Sequence, residues 1–117
     1  MKTFMTAVIA LLLAWPSAAA IAHHGWSGYD SGTTLNLTGT IRESGYEHPH
    51  GHVRLETSGK TWLVTLAPPS RMERRGLPAS ALKAGAEATV VGYPSRTDPN
   101  GMRAERIIIA GQTVELR

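Results

Sequence analysis

The chain contains no cysteine. That excludes disulfide cross-links, a cysteine zinc ribbon, an iron–sulfur cluster and thiol redox chemistry. Aromatic residues are scarce at 6%, with a single phenylalanine, so any core must be built from aliphatic side chains. Long apolar runs are missing too. The most apolar stretch, Phe4 to Leu13, falls short of the ~20 residues a spanning helix needs. Charge of one sign is in small excess: the net charge is +3, too mild to argue for nucleic acid or strong membrane attraction. No nucleophile–base–acid triad, glycine-rich phosphate loop or paired-carboxylate motif occurs, so binding rather than catalysis is expected. At 117 residues there is room for one small domain.

What is present begins with a secretory signal. Lys2 is the lone charge of a short basic start, Phe4 to Leu13 is the apolar core, and Trp15-Pro16-Ser17 breaks it. Small residues at Ala18, Ala20 and Ala22 allow a cut after Ala22 or, alternatively, after Ala20. The expected organisation is a signal peptide over 1–22 and one β-barrel domain over 23–117. The mature protein is expected to be periplasmic or secreted, with no stable membrane insertion after cleavage. Without disulfides it must rely on its core or on a ligand.

Gly25 to Thr34 is glycine-rich and polar, which predicts an irregular arm. Alternation predicts a strand over Leu35–Glu43, with Leu35, Leu37 and Ile41 inward. Further strands are expected over His52–Thr57 and Lys60–Leu66, joined at Ser58-Gly59. Pro68-Pro69 stops the third strand, and Ser70 is expected to cap a short helix, Arg71–Arg75, ended by Gly76. A second helical turn is expected at Ala79–Lys83. Strands follow at Glu87–Tyr93, Arg103–Ala110 and Thr113–Leu116. Three strands, a short helix and two more strands is the order of an OB-type barrel. The expectation is therefore an all-β, five- to six-stranded OB-like barrel, with a small antiparallel sandwich as the alternative.

Two histidine clusters carry the chemistry. A cut after Ala22 makes His23 the terminal residue, and its α-amine, with a pKa of about 8, can chelate one ion together with ring Nδ1. A second imidazole completes a three-nitrogen brace suited to Cu(II). A cut after Ala20 puts His23 third from the free amine, the amino-terminal Cu(II)/Ni(II) motif. The bland reading of His23-His24 is a flexible polar arm. The second cluster is His48-Pro49-His50-Gly51-His52. On an extended backbone its three imidazoles share one face, although loop histidines are more commonly just solvated. His50 is the natural donor of the missing imidazole, and His52 is the outward start of a strand. Arg71, Arg74 and Arg75 with Trp62, Tyr46 and Tyr93 offer a single-strand nucleic-acid platform on paper. A charged helix face is the simpler account, and no nucleic acid is expected.

Ala22-His23-His24-Gly25-Trp26 with Tyr29-Asp30, the strand Leu37-Thr38-Gly39-Thr40-Ile41 and the pair Pro49-His50 resemble a family of short exported bacterial proteins of unknown function. Leu82-x-x-Gly85, Val90-x-Gly92 and Arg103-Ala104-x-x-Ile107 fit the same pattern. The family starts after its signal with Ala-His-His-Ser-Phe and carries an Asn-Pro-His loop. Here Gly25-Trp26 replaces Ser-Phe, and His48 stands where the family has Asn. The resemblance implies export and a compact β fold, and it puts His23, His24 and His50 in recurrent positions. The functional expectation is an exported metal-handling protein that binds Cu(II), with zinc or nickel as alternatives, through His23, His24, His50 and the extra donor His48. Its partners would be the metal ion and an envelope protein. The competing expectation is a non-metal binding module that docks a protein or small molecule through Trp26, Tyr46, Trp62 and the arginine helix.

Overall fold

The computed structural model describes residues 24–117, so the expected signal peptide lies outside the described residues. Six strands follow a short helix, α1 (His24–Ser27): β1 (Leu35–Gly45), β2 (His52–Thr57), β3 (Lys60–Thr65), β4 (Glu87–Pro94), β5 (Gly101–Ile109) and β6 (Gln112–Glu115). Helix α2 (Pro69–Arg74) and a 3-10 turn, Ala79–Leu82, lie between β3 and β4. The sheet runs β3-β2-β1-β4-β5-β6, and a short parallel pairing of β3 with β5 closes the first five strands into a barrel. This is the OB-like order that the strand–helix–strand sequence predicts, and closure decides against an open sandwich.

The closing seam is only three residue pairs long: Leu63 with Gly101, Val64 with Met102, and Thr65 with Arg103. Beyond it β5 turns to β6, which lies outside the closed barrel and pairs from Arg106–Glu115 to Ile109–Gln112. Two bulges bend the walls. Arg42 is the extra residue of β1 opposite Leu55 and Arg54 of β2. Glu105 is the extra residue of β5 opposite Val91 and Gly92 of β4. Each insertion raises local twist, which a closed barrel requires.

Alternation supplies the core. Ile41, Val53, Leu55, Val64, Val90, Met102, Ala104 and Ile107 are wholly buried, and each buried branched or long side chain stabilises by about 1.5–3 kcal/mol. One end of the barrel is stopped by Met72 of α2 with Leu66, Leu77 and Leu82, all sealed from solvent. A six-residue helix does not hold itself; burial of Met72 and two arginine contacts hold this one. Arg71 Nη1 donates to Leu116 O at 3.0 Å, and Arg75 Nη1 to Glu115 O at 2.8 Å.

Two local expectations are corrected. The helix begins at Pro69, not Arg71, and Pro68 takes the cap position without a side-chain hydrogen bond, so Ser70 caps nothing. Pro69 has its φ preset for a first helical turn and needs no donor there. At the other end Leu77 N donates to Met72 O and Gly76 N to Glu73 O, with Gly76 at φ +84°. This is a Schellman closure, as Gly76 foretells. The expected irregular arm is instead partly ordered. It carries α1, and Tyr29 bridges to Ser95, because Trp26 has a place to pack.

Candidate functional site

Arg103 is the centre of the site. It sits between Met102 and Ala104, both fully buried on the inner face, so strand alternation turns it out of the barrel interior. It is nonetheless only 5% exposed, because α1 and the loop between β1 and β2 cover it. Its Nη1 donates to the carbonyl of Gly25 in α1. Its guanidinium carbon lies 4.2 Å from the centre of the Trp26 ring, and that of Arg117 lies 4.5 Å from the same ring. Tyr93 meets Trp26 edge-on at 6.2 Å. Cation–π and edge contacts of this kind dock the short helix where its own four residues could not.

On its other side Arg103 Nη2 lies 3.3 Å from His50 Nε2. A guanidinium can only donate, so Nε2 is the acceptor and the neutral ring carries its proton on Nδ1. Burial, then the charges of Arg103 and Arg71, lower the His50 pKa from its ordinary 6.5. The folded ring therefore binds a proton less readily than the unfolded one. Its contribution to stability is present above pH 6.5 and is lost as pH falls through the lower folded value. A ring-proton NMR titration is expected to place the His50 midpoint below 6.5; a midpoint at or above it would remove the Arg103 contact from the solution structure.

The loop that presents His50 is pinned at its base. Gly51 N donates to Ala67 O at 2.9 Å, and Leu66 N donates to Gly51 O at 2.8 Å. The bond between His48 and Pro49 is cis. Next to His50, an open groove of about 410 Å³ is lined by Pro49, His52, Arg54, Leu63 and Thr65 as well. It lies on the β2–β3 face, where OB barrels commonly receive ligands. Arg54 is 3.5 Å from Glu43 across the β1–β2 pairing, and Tyr29 Oη lies 3.5 Å from Thr65 Oγ1.

The sequence-predicted residues fall out unequally. His50 is part-buried at the centre, whereas His48 is exposed. His52 faces the groove and packs over Gly45, its cross-strand partner. The backbone of His24 opens α1, while His23 lies outside the described residues. Among the described residues no group of three His, Cys, Asp or Glu side chains is placed to hold a metal ion. Tyr46 is used internally, donating to Leu77 O at 2.6 Å. Sequence reasoning missed Arg103 itself. The available signal was an arginine set between two apolar residues, Met102 and Ala104, ahead of the Glu105-Arg106 pair in the same strand.

A family of unknown function, DUF6152, matches residues 10–103. The chain belongs to this family. The match covers the histidine start, the Pro-His loop and Arg103, so the DUF6152 region takes in every residue of the site except Arg117. No curated protein matches the DUF6152 chain. Among solved structures, it is similar to a chain from the crystal structure of a complex of TiaS with tRNA and ATP, at 19% identity and a TM-score of 0.53. The likeness covers 76% of this chain and 20% of that one, and it speaks for the barrel fold alone. No helix among the described residues is long and apolar enough to cross a membrane.

Proposed function

We propose that this DUF6152 protein is exported to the periplasm and binds Cu(II) for metal handling, through its processed N-terminus at His23 and His24 with His50 as the further imidazole. His48 is an auxiliary donor, and zinc and nickel are the alternative ions. One observation supports this reading above the rest: Arg103 donates both to Gly25, the residue after His24, and to the ring of His50. Gly25, the residue that follows these histidines, is thereby held close to the loop imidazole. With a cut after Ala22, the His23 amine and Nδ1 chelate the ion and one more imidazole completes a T of three nitrogens. Arg103 occupies the Nε2 lone pair of His50, so copper arriving there replaces the guanidinium. The positive cluster opposes the incoming cation, which makes His50 the weakest of the ligands.

Native mass measurement on the processed protein, with and without chelator, followed by Cu(II) titration tests this. One copper per chain is expected. Losing His23 should weaken binding by at least about 100-fold and losing His50 by about 10-fold, spanning the losses that even outer-shell partners produce. His52→Ala should change nothing. Undiminished affinity in the triple alanine variant of His23, His24 and His50 would end the assignment.

The groove on the β2–β3 face favours a second reading, a non-metal OB-like module for an envelope protein or small molecule. Nucleic acid is not part of either proposal. Arg54 is paired with Glu43, and Arg71 and Arg75 are engaged by carbonyls of the C-terminal strand region.

A further inference from the structure

Arg103 is a buried cation without an anion. It is 5% exposed, and among the described residues every ion pair involves other groups. Glu105, the nearest acid along the strand, is committed to Arg117 at 2.8 Å and to Arg106 at 3.8 Å. Burial is the main influence lowering the Arg103 pKa; Tyr29 opposes it, and the further cations Arg71 and Arg117 add to it. Buried charges are ordinarily paired, because a lone one gives up its hydration with nothing in return. Arg103 also has an orphan donor: its Nε is buried and has no hydrogen-bond partner. A buried, unsatisfied polar atom of this kind points to a bound water or ion.

The free edge has a definite chemistry. In a guanidinium the Nε–H and one Nη2–H are parallel and match the two oxygens of a carboxylate. Nη1 has given one proton to Gly25 O, and Nη2 one to His50. Of the five N–H donors, three remain: Nε–H, one Nη1–H and one Nη2–H, and Nε–H is the one whose nitrogen has no partner at all. With the Nη2–H parallel to it, Nε–H makes the side-on pair that a carboxylate fits. Two residues that line the groove, His50 and Thr65, also adjoin Arg103, the first by its hydrogen bond and the second as its register partner across the barrel seam. His50 and Thr65 thus stand between the groove and Arg103, and a ligand entering from the groove has to displace the His50 ring to reach the guanidinium.

We propose that Arg103 is the base of a carboxylate-binding site entered from the groove between His50 and Thr65. The carboxylate neutralises the guanidinium and satisfies its orphan Nε. Thr65 Oγ1 and, behind it, Tyr29 Oη stand at the entrance as neutral hydrogen-bonding groups. The site does not depend on copper, and its test uses metal-free protein dialysed clear of chelator, which itself carries carboxylates.

The readout is the Arg103 Nε–Hε resonance in a 15N NMR spectrum, assigned by its disappearance in Arg103→Lys. Sodium acetate is titrated against sodium chloride at constant ionic strength, with sodium phosphate as a third arm. Acetate is expected to shift the resonance saturably, with a dissociation constant of about 1 mM for so small a ligand. Chloride should not shift it. Arg103→Lys keeps the charge but loses the paired edge, and acetate binding, followed through the Thr65 backbone amide, should fall at least about 10-fold. Should that variant not fold, the Arg103 Nε–Hε resonance is assigned in 13C,15N-labelled wild-type protein through its bonds to the Arg103 side-chain carbons, and it still decides. An unmoved Nε–Hε signal would mean that water serves the guanidinium, and the proposal fails. Phosphate binding as tightly as acetate would overturn the carboxylate assignment.

Discussion

Alanine in place of Gly92 is expected to destabilise the fold by about 3 kcal/mol or more, or to prevent folding altogether. A Cβ built at this position lies 1.9 Å from the carbonyl oxygen of Arg103 and 2.8 Å from the Ala104 Cα. Both are backbone atoms of the facing strand, so no side-chain rotation relieves the overlap. The contact falls at the β4–β5 bulge, where Gly92 pairs with Ala104 and Glu105 is left over. Relief requires the strands to separate at the position that turns Arg103 toward α1. The expected result in chemical denaturation is a large fall in midpoint, with loss of protection at β4 and β5 amides. An unfolding free energy within about 0.5 kcal/mol of wild type, the range of ordinary surface changes, would show that the two strands are not in close contact there.

The second large effect is expected at Met72. Truncation to alanine should cost about 2–5 kcal/mol, while Met72→Leu, which keeps the volume, should cost less than about 1.5 kcal/mol. Met72 is wholly buried, and its terminal methyl fills the space above Gly51, where an added Cβ would come within 2.5 Å of Cε. The cavity left by alanine would open directly under the loop that presents His50. The truncated protein should therefore show a second change: the His50 titration moving back toward its ordinary value. Destabilisation without movement at His50 would separate the barrel plug from the site.

The strands were legible because a half-buried strand writes its period into the chain. Leu35, Leu37 and Ile41 against Asn36, Thr38 and Arg42 needed no tertiary information, and Ser58-Gly59 announced its own hairpin. The helix start was misplaced by two residues because Ser70 advertises a cap while Pro69 settles the geometry. The site was legible only in part. Sequence singled out His50 but could not see Arg103 across more than fifty residues of intervening chain. The bulge at Glu105 and the cover supplied by Trp26 decide that arginine's surroundings, and neither has a local signature. Nor does spacing alone tell that His48, His50 and His52 do not gather as one donor set.

Strand β6 lies outside the closed barrel and therefore has an open side. Leu116 N turns toward β5, donating to Glu105 O at 2.7 Å, so by alternation the carbonyls of Glu115 and Arg117 face away from the sheet. Arg75 Nη1 takes both, at 2.8 and 3.1 Å. A strand from another copy would need those same acceptors to add itself to the sheet. By filling them from its own helix, the protein denies a template for edge-to-edge polymerisation and keeps a six-stranded sheet from growing a seventh strand.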